Sequence, residues 1–201
     1  MTPQTGSYHH GDLRASCLRA ARDLLEEDGG AALSLRAVAR RAGVSATAPY
    51  RHFADREALV SAVAAQGYRE LADHLAAAHP APRAPEDLAA VAVAYVHFAV
   101  ERPALFRVMF AEPCDPAAAE RTAAAAAVWD CVGRVVRDVF PGADPEALST
   151  AVWGLVHGLA FLRLDGKFHA DGAAAADARV RGAVCALLGA APGGSGLEAE
   201  G

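Results

Sequence analysis

The residues with the most chemical potential lie in one run: Ser34-Leu35-Arg36-Ala37-Val38-Ala39-Arg40-Arg41-Ala42-Gly43-Val44-Ser45, continued by Ala46-Thr47-Ala48-Pro49-Tyr50-Arg51-His52-Phe53. Leu35, Val38 and Ala39 recur at helical spacing, which leaves Arg36, Arg40 and Arg41 on the solvent side. Guanidinium groups so placed suit phosphate oxygens, which they can grip with two donors at once. Gly43 supplies the residue that tolerates positive φ in a tight turn, Ala39 the small residue where a second helix crosses, and Val44 an apolar plug. Ser45 can cap that second helix, whose first residues Ala46 and Thr47 would face base edges, with Tyr50, Arg51 and His52 nearer the backbone. An ordinary helix–turn–helix corner in a bundle fits the same residues, and a protein-contacting helical module stays open beside a DNA reader.

The other reactive residue types show less order. Eight histidines are scattered, and none has the Glu-flanked i, i+4 spacing of a helical zinc site. His97 and His157 sit on otherwise apolar segments and read as core histidines or as pocket polar groups. Cys17, Cys114, Cys131 and Cys185 lack CxxC spacing; a metal- or redox-responsive regulator stays open as an alternative, with Cys114 the one redox candidate. No glycine-rich phosphate loop, nucleophile elbow or metal motif is present, which argues against an enzyme, and no metal or cofactor is expected.

Helices must position these groups. Apolar residues recur at three and four steps almost throughout, with segments expected near 13–28, 34–43, 45–53, 56–79, 86–101, 103–111, 116–140, 144–165 and 173–190. Pro103, Pro116 and Pro145 suit first-turn positions, where a missing N–H costs nothing. Pro49 removes a donor inside the second element of the turn motif, so that helix must be short or distorted. The expected fold is all-α, with about nine helices. At 201 residues and 53% hydrophobic composition, the chain can bury a substantial core.

Net charge is −5, unevenly spread. Residues 1–60 hold eight Arg against seven acids, while the remainder holds eleven basic against seventeen acidic residues. Such asymmetry suits a nucleic-acid module on an acidic body. The polar start carries no signal-type apolar region, so a cytoplasmic location is expected. The longest uncharged apolar run, 147–162, is shorter than the ~18–20 residues a span needs. No membrane partner is expected.

Three blocks resemble the tetracycline-repressor-like family of bacterial regulators. They are Tyr8-His9-His10-Gly11-Asp12-Leu13-Arg14; the stretch Leu33 to Ser45 with Tyr50-Arg51-His52-Phe53 and Glu57-Ala58-Leu59; and Trp153-Gly154-Leu155-Val156-His157-Gly158. The last is similar to the Trp…His-Gly signature of one C-terminal subfamily, as are Arg102 to Phe106 and Met109-Phe110. The resemblance implies a helix-turn-helix domain over 8–56 and a ligand-binding and dimerisation domain over 57–190, while Gly/Ser/Glu composition leads one to expect a disordered tail over 191–201. It implies a homodimer on a pseudo-palindromic DNA operator, released by a small-molecule effector, with Arg56 joining the phosphate contacts where the family often has lysine.

Pocket candidates are Phe98, Phe106, Phe110, Trp129, Trp153 and His157, because the body holds more aromatic surface than one core needs. Leu155, Leu159, Val180, Val184, Leu187 and Leu188 are expected in the dimer seam.

Overall fold

A computed structural model describes residues 13–111, 118–167 and 172–189. Among these it contains eight α-helices and no strand. They are α1 (Leu13–Asp28), α2 (Leu35–Arg41), α3 (Arg56–Ala78), α4 (Pro85–Glu101), α5 (Pro103–Phe110), α6 (Ala119–Val139), α7 (Pro145–Leu164) and α8 (Ala173–Leu187). Two short 3-10 turns, Gly30–Ala32 and Ala48–Arg51, complete the set. Eight helices replace the nine expected because the 45–53 segment forms a turn and the second of these 3-10 turns. Tyr8 to Asp12, Cys114, Pro116, His169 and the tail 191–201 lie outside the described residues.

Local chemistry sets most boundaries. The Ser34 hydroxyl accepts from the Ala37 N–H at 3.1 Å and starts α2. Asp55 accepts from the Ala58 N–H at 2.8 Å at the start of α3, and Asp144 accepts from the N–H groups of Glu146 and Ala147 at the start of α7. Pro85, Pro103 and Pro145 each occupy a first helical position. Gly29 ends α1 at φ +78°, a conformation that an L side chain resists.

The described residues divide into two compact units, one of those up to Tyr68 with those of Ala104–Ala125, the other of those in Arg69–Pro103 with those from Ala126. The first unit thus includes the first half of α3. The reason is burial: Leu59, Val60, Val63 and Ala64 of α3 are fully enclosed. Tyr68 then donates its hydroxyl hydrogen to the Met109 carbonyl at 3.0 Å. A side chain at Gly67 would meet Met109 Sδ at 2.6 Å, so the helices touch where glycine stands. In the second unit α4 packs on α7 and α8, and α7 packs on α8.

The helix α7 runs 20 residues, longer than the uncharged 147–162 run, because the Asp144 cap starts it early and it continues through Arg163. By length and composition alone it could cross a membrane, contrary to the expectation from the run. Only 28% of its apolar window is buried within the chain.

Candidate nucleic-acid interface and apolar cavity

The turn after α2 is closed by backbone bonds that only a left-handed residue permits. Gly43 adopts φ +68°. Its N–H donates to the Arg40 carbonyl at 3.3 Å, and the Val44 N–H donates to the Ala39 carbonyl at 3.0 Å. This is the Schellman arrangement, and it satisfies carbonyls the helix end would leave unpaired. Ala39 is buried, as its position in the turn demands.

Beyond the turn, Ser45, Ala46 and Thr47 are exposed, and the two hydroxyls lie 3.4 Å apart. Pro49 has no N–H to donate back to Ser45, so the Ser45 carbonyl accepts from Ala48 at 3.0 Å instead and the segment tightens into 3-10 geometry. Pro49 itself is buried, while Tyr50 is 52% exposed beside exposed Arg51 and His52. A polar, hydrogen-bonding edge is thereby held outward on a short rigid element.

The arginines divide into two kinds. Arg36 and Arg40 are exposed on α2. Arg41 is also exposed but forms a two-pronged pair with Glu27 of α1, one prong at 2.9 Å. That hydrogen bond to the Arg41 guanidinium holds the Glu27 carboxyl below its ordinary pKa. Arg56 is turned inward: Nε donates to the Leu33 carbonyl at 3.0 Å and a terminal nitrogen to the Gly30 carbonyl at 2.9 Å. Arg56, expected among the phosphate contacts, is here tied to the 30–33 turn, whose carbonyls fit a fork-shaped donor. Arg14 lies 5.8 Å from the Phe53 ring centre and pairs with Glu120 at 2.5 Å.

The second unit holds a narrow apolar cavity of about 30 Å³, lined from α3 by Leu75, from α4 by Leu88, Ala92 and Tyr95, and from α7 by Trp153 and Val156. Of the six aromatic and histidine candidates, Trp153 alone lines it. Trp129, 40% exposed, stacks on Trp153 at 4.8 Å, and Trp153 stacks on His157 at 5.9 Å. Tyr95 Oη lies 2.9 Å from His157 Nδ1. Phe98 is fully buried against His74, with the Arg102 guanidinium 5.2 Å from its ring centre. Phe106 and Phe110 pack at 4.8 Å in the first unit, with Phe110 edge-on to Tyr68.

The seam candidates also divide. Val180 and Val184 are buried within the single chain and Leu159 nearly so, whereas Leu187 is 44% exposed and Leu155 and Leu188 are half-buried.

The family model of the bacterial regulatory proteins of the tetR family matches residues 18–63, and that of the tetracyclin repressor-like C-terminal domain matches residues 88–187. The chain belongs to the tetR family. A protein with unknown function from Rhodococcus sp. RHA1 is 32% identical to it, with 90% of this chain and 98% of that one aligned at a TM-score of 0.75. A bacterial regulatory protein in the tetR family from Rhodococcus RHA1 shares the fold at 21% identity, TM-score 0.69, over 90% and 98% of the two chains. The HTH-type transcriptional regulator Rv1816 of Mycobacterium tuberculosis is 32% identical over 104 residues, which are 50% of this chain and 44% of that relative. The match therefore spans less than half the length of that curated relative.

For this TetR-family chain the two matched regions hold most of the residues described, with Leu75 of the cavity between them. The turn around Gly43 and the exposed run to His52 fall in the first, and the Trp153 to Gly158 segment falls in the second. Sequence reasoning missed the bracing bonds of Arg56 and the cavity walls from Leu75, Leu88 and Ala92. Those residues carry only the common apolar period of any core helix, which gives no sign of a cavity.

Proposed function

We propose that this TetR-family chain is a transcriptional regulator that binds an operator as a homodimer and releases it when a small molecule enters the second unit. The carrying observation is the exposed run Ser45, Ala46, Thr47, Tyr50, Arg51 and His52, held on a turn closed through Gly43. Thr47 and Tyr50 read base edges, while Arg36, Arg40 and Arg51 take phosphates. Arg41 reaches DNA by exchanging Glu27 for a phosphate, and Arg56 keeps the 30–33 turn in place. On this reading the protein acts in the cytoplasm, by binding rather than turnover, and as a repressor rather than an activator.

Dimerisation is supported by α7. Its outward positions Gly154, Gly158 and Leu162 are exposed, with Leu187 of α8 exposed as well. Apolar surface of this kind is what an obligate partner covers. A gel shift with the DNA flanking the protein's own coding region tests the reading. A salt-sensitive, two-headed complex is expected, and absence of any shift at low salt with dimeric protein would sink it.

A further inference from the structure

The apolar cavity of the second unit does not stand alone. A wider, half-polar cleft of about 620 Å³ shares four of its walls, Leu75, Val91, Cys131 and Val135. The cleft's other walls include the 79–83 loop and one face of α6, and its charged side chains are Arg83, Arg134 and Asp138, with His79 beside them. The loop is built rather than loose. The Asp87 carboxylate accepts from the N–H groups of Arg83 and Ala84 at 2.7 and 2.9 Å and faces His79 Nε2 at 3.0 Å. Asp87 is thereby occupied by the loop itself. Among the described residues, neither the Arg83 nor the Arg134 guanidinium has a hydrogen-bond or ion-pair partner.

We infer that cleft and cavity form one site for an amphipathic monoanion, a carboxylate held between Arg83 and Arg134 with an apolar tail directed toward Trp153. The inference rests on the proposed effector role of this unit and names the chemical class the effector belongs to. Charge decides the head: two free guanidiniums face one carboxylate, Asp138, so a single negative charge is balanced and a cation is opposed. Guanidinium forks match carboxylate geometry. Polarity decides the tail. The inner cavity is almost wholly apolar, which suits a methylene chain that enters as the walls part.

The chain reports on its own occupancy. It has two tryptophans; Trp153 lines the inner cavity and Trp129 stacks on it. Tail entry must therefore change tryptophan emission. The experiment titrates the full chain with octanoate, octan-1-ol, octyl phosphate, octylamine and acetate, following that emission.

Octanoate should bind saturably and about tenfold or more tighter than octanol, the difference a charge-assisted pair supplies. Acetate should bind at least a hundredfold weaker, for want of buried methylenes. Arg134→Gln and Arg83→Gln, both at exposed positions, should bring octanoate down to the octanol level and leave octanol unchanged.

Equal binding of octanoate and octanol overturns the anionic head site. Tighter binding of octylamine overturns its sign, and tighter binding of octyl phosphate overturns the monoanion. No saturable change with any of these compounds overturns the site as a whole. The gel shift separates this from the parent reading. Octanoate that binds without releasing DNA leaves the site standing and removes the effector role. Release by a compound that does not compete with octanoate keeps the role and removes this site.

Discussion

Tyr95 and His157 meet across α4 and α7, with Tyr95 Oη 2.9 Å from His157 Nδ1. Burial pushes the His157 pKa below its ordinary 6.5, which favours the neutral ring, and the tautomer sets which of Tyr95 Oη and Nδ1 donates. The Trp153 ring stacked on the imidazole at 5.9 Å adds apolar cover. One polar pair thus joins the helix that lines the cavity from one side to the helix that lines it from the other.

The sign of the resulting pH dependence follows from the lowered value. As pH falls below about 6.5, the unfolded chain takes up the His157 proton before the folded one does. Stability present above that pH is lost as pH drops toward the folded pKa. Thermal melts at pH 7.5, 6.5 and 5.5 should show a falling midpoint, with a smaller fall in His157→Phe. Glu27 and Asp87, held low by Arg41 and by the Arg83 and Ala84 N–H groups respectively, add their losses only at lower pH. Identical pH profiles for variant and wild type would contradict the burial argument.

Arg36 and Arg56 should separate binding from folding. Arg56→Ala removes two charge-assisted bonds to the Leu33 and Gly30 carbonyls and should cost about 1–3 kcal/mol in denaturant melts. Arg36→Ala, at an exposed position, should change stability by less than about 0.5 kcal/mol and weaken operator binding across sequences. The reverse pattern would return Arg56 to the phosphate set.

Operator affinity should depend steeply on salt. A dimer that brings Arg36, Arg40 and Arg51 to both half-sites makes ~6–10 phosphate contacts and loses on the order of 10³–10⁵ in affinity between about 50 and 200 mM salt. Fluorescence anisotropy across that range measures the slope. A flat dependence would remove the phosphate assignment of these three arginines.

Val184 and Leu187 should fail differently. Val184 is fully buried in the single chain, so Val184→Arg places an unpaired charge in the core and should unfold it, read as lost helical circular dichroism. Leu187 is 44% exposed, so Leu187→Arg should keep the helical signal and convert dimer to monomer in light scattering. A folded, dimeric Leu187→Arg protein would place the seam elsewhere.

Signals that act within a few residues are legible in the amino-acid sequence by itself. Gly43 marks the turn because its φ of +68° suits a residue without Cβ. Ser34, Pro103 and Pro145 mark helix starts because orphan N–H groups need an acceptor or no donor at all. Pro49 announces a distorted reading element because one missing hydrogen bond is a property of the residue itself.

Partnerships across the chain are decided by the tertiary structure alone. Nothing near Arg56 in sequence announces the Gly30 and Leu33 carbonyls that it bonds. Phe110 carries the same helical period as Trp153, and packs against Tyr68 and Phe106 in the first unit. Val184 sits in an apolar stripe with Leu187, but only packing buries the one and leaves the other half-open. Periodicity states that a face is covered and not by what, and an unpaired charge in sequence finds its partner only when the fold brings one within hydrogen-bond reach.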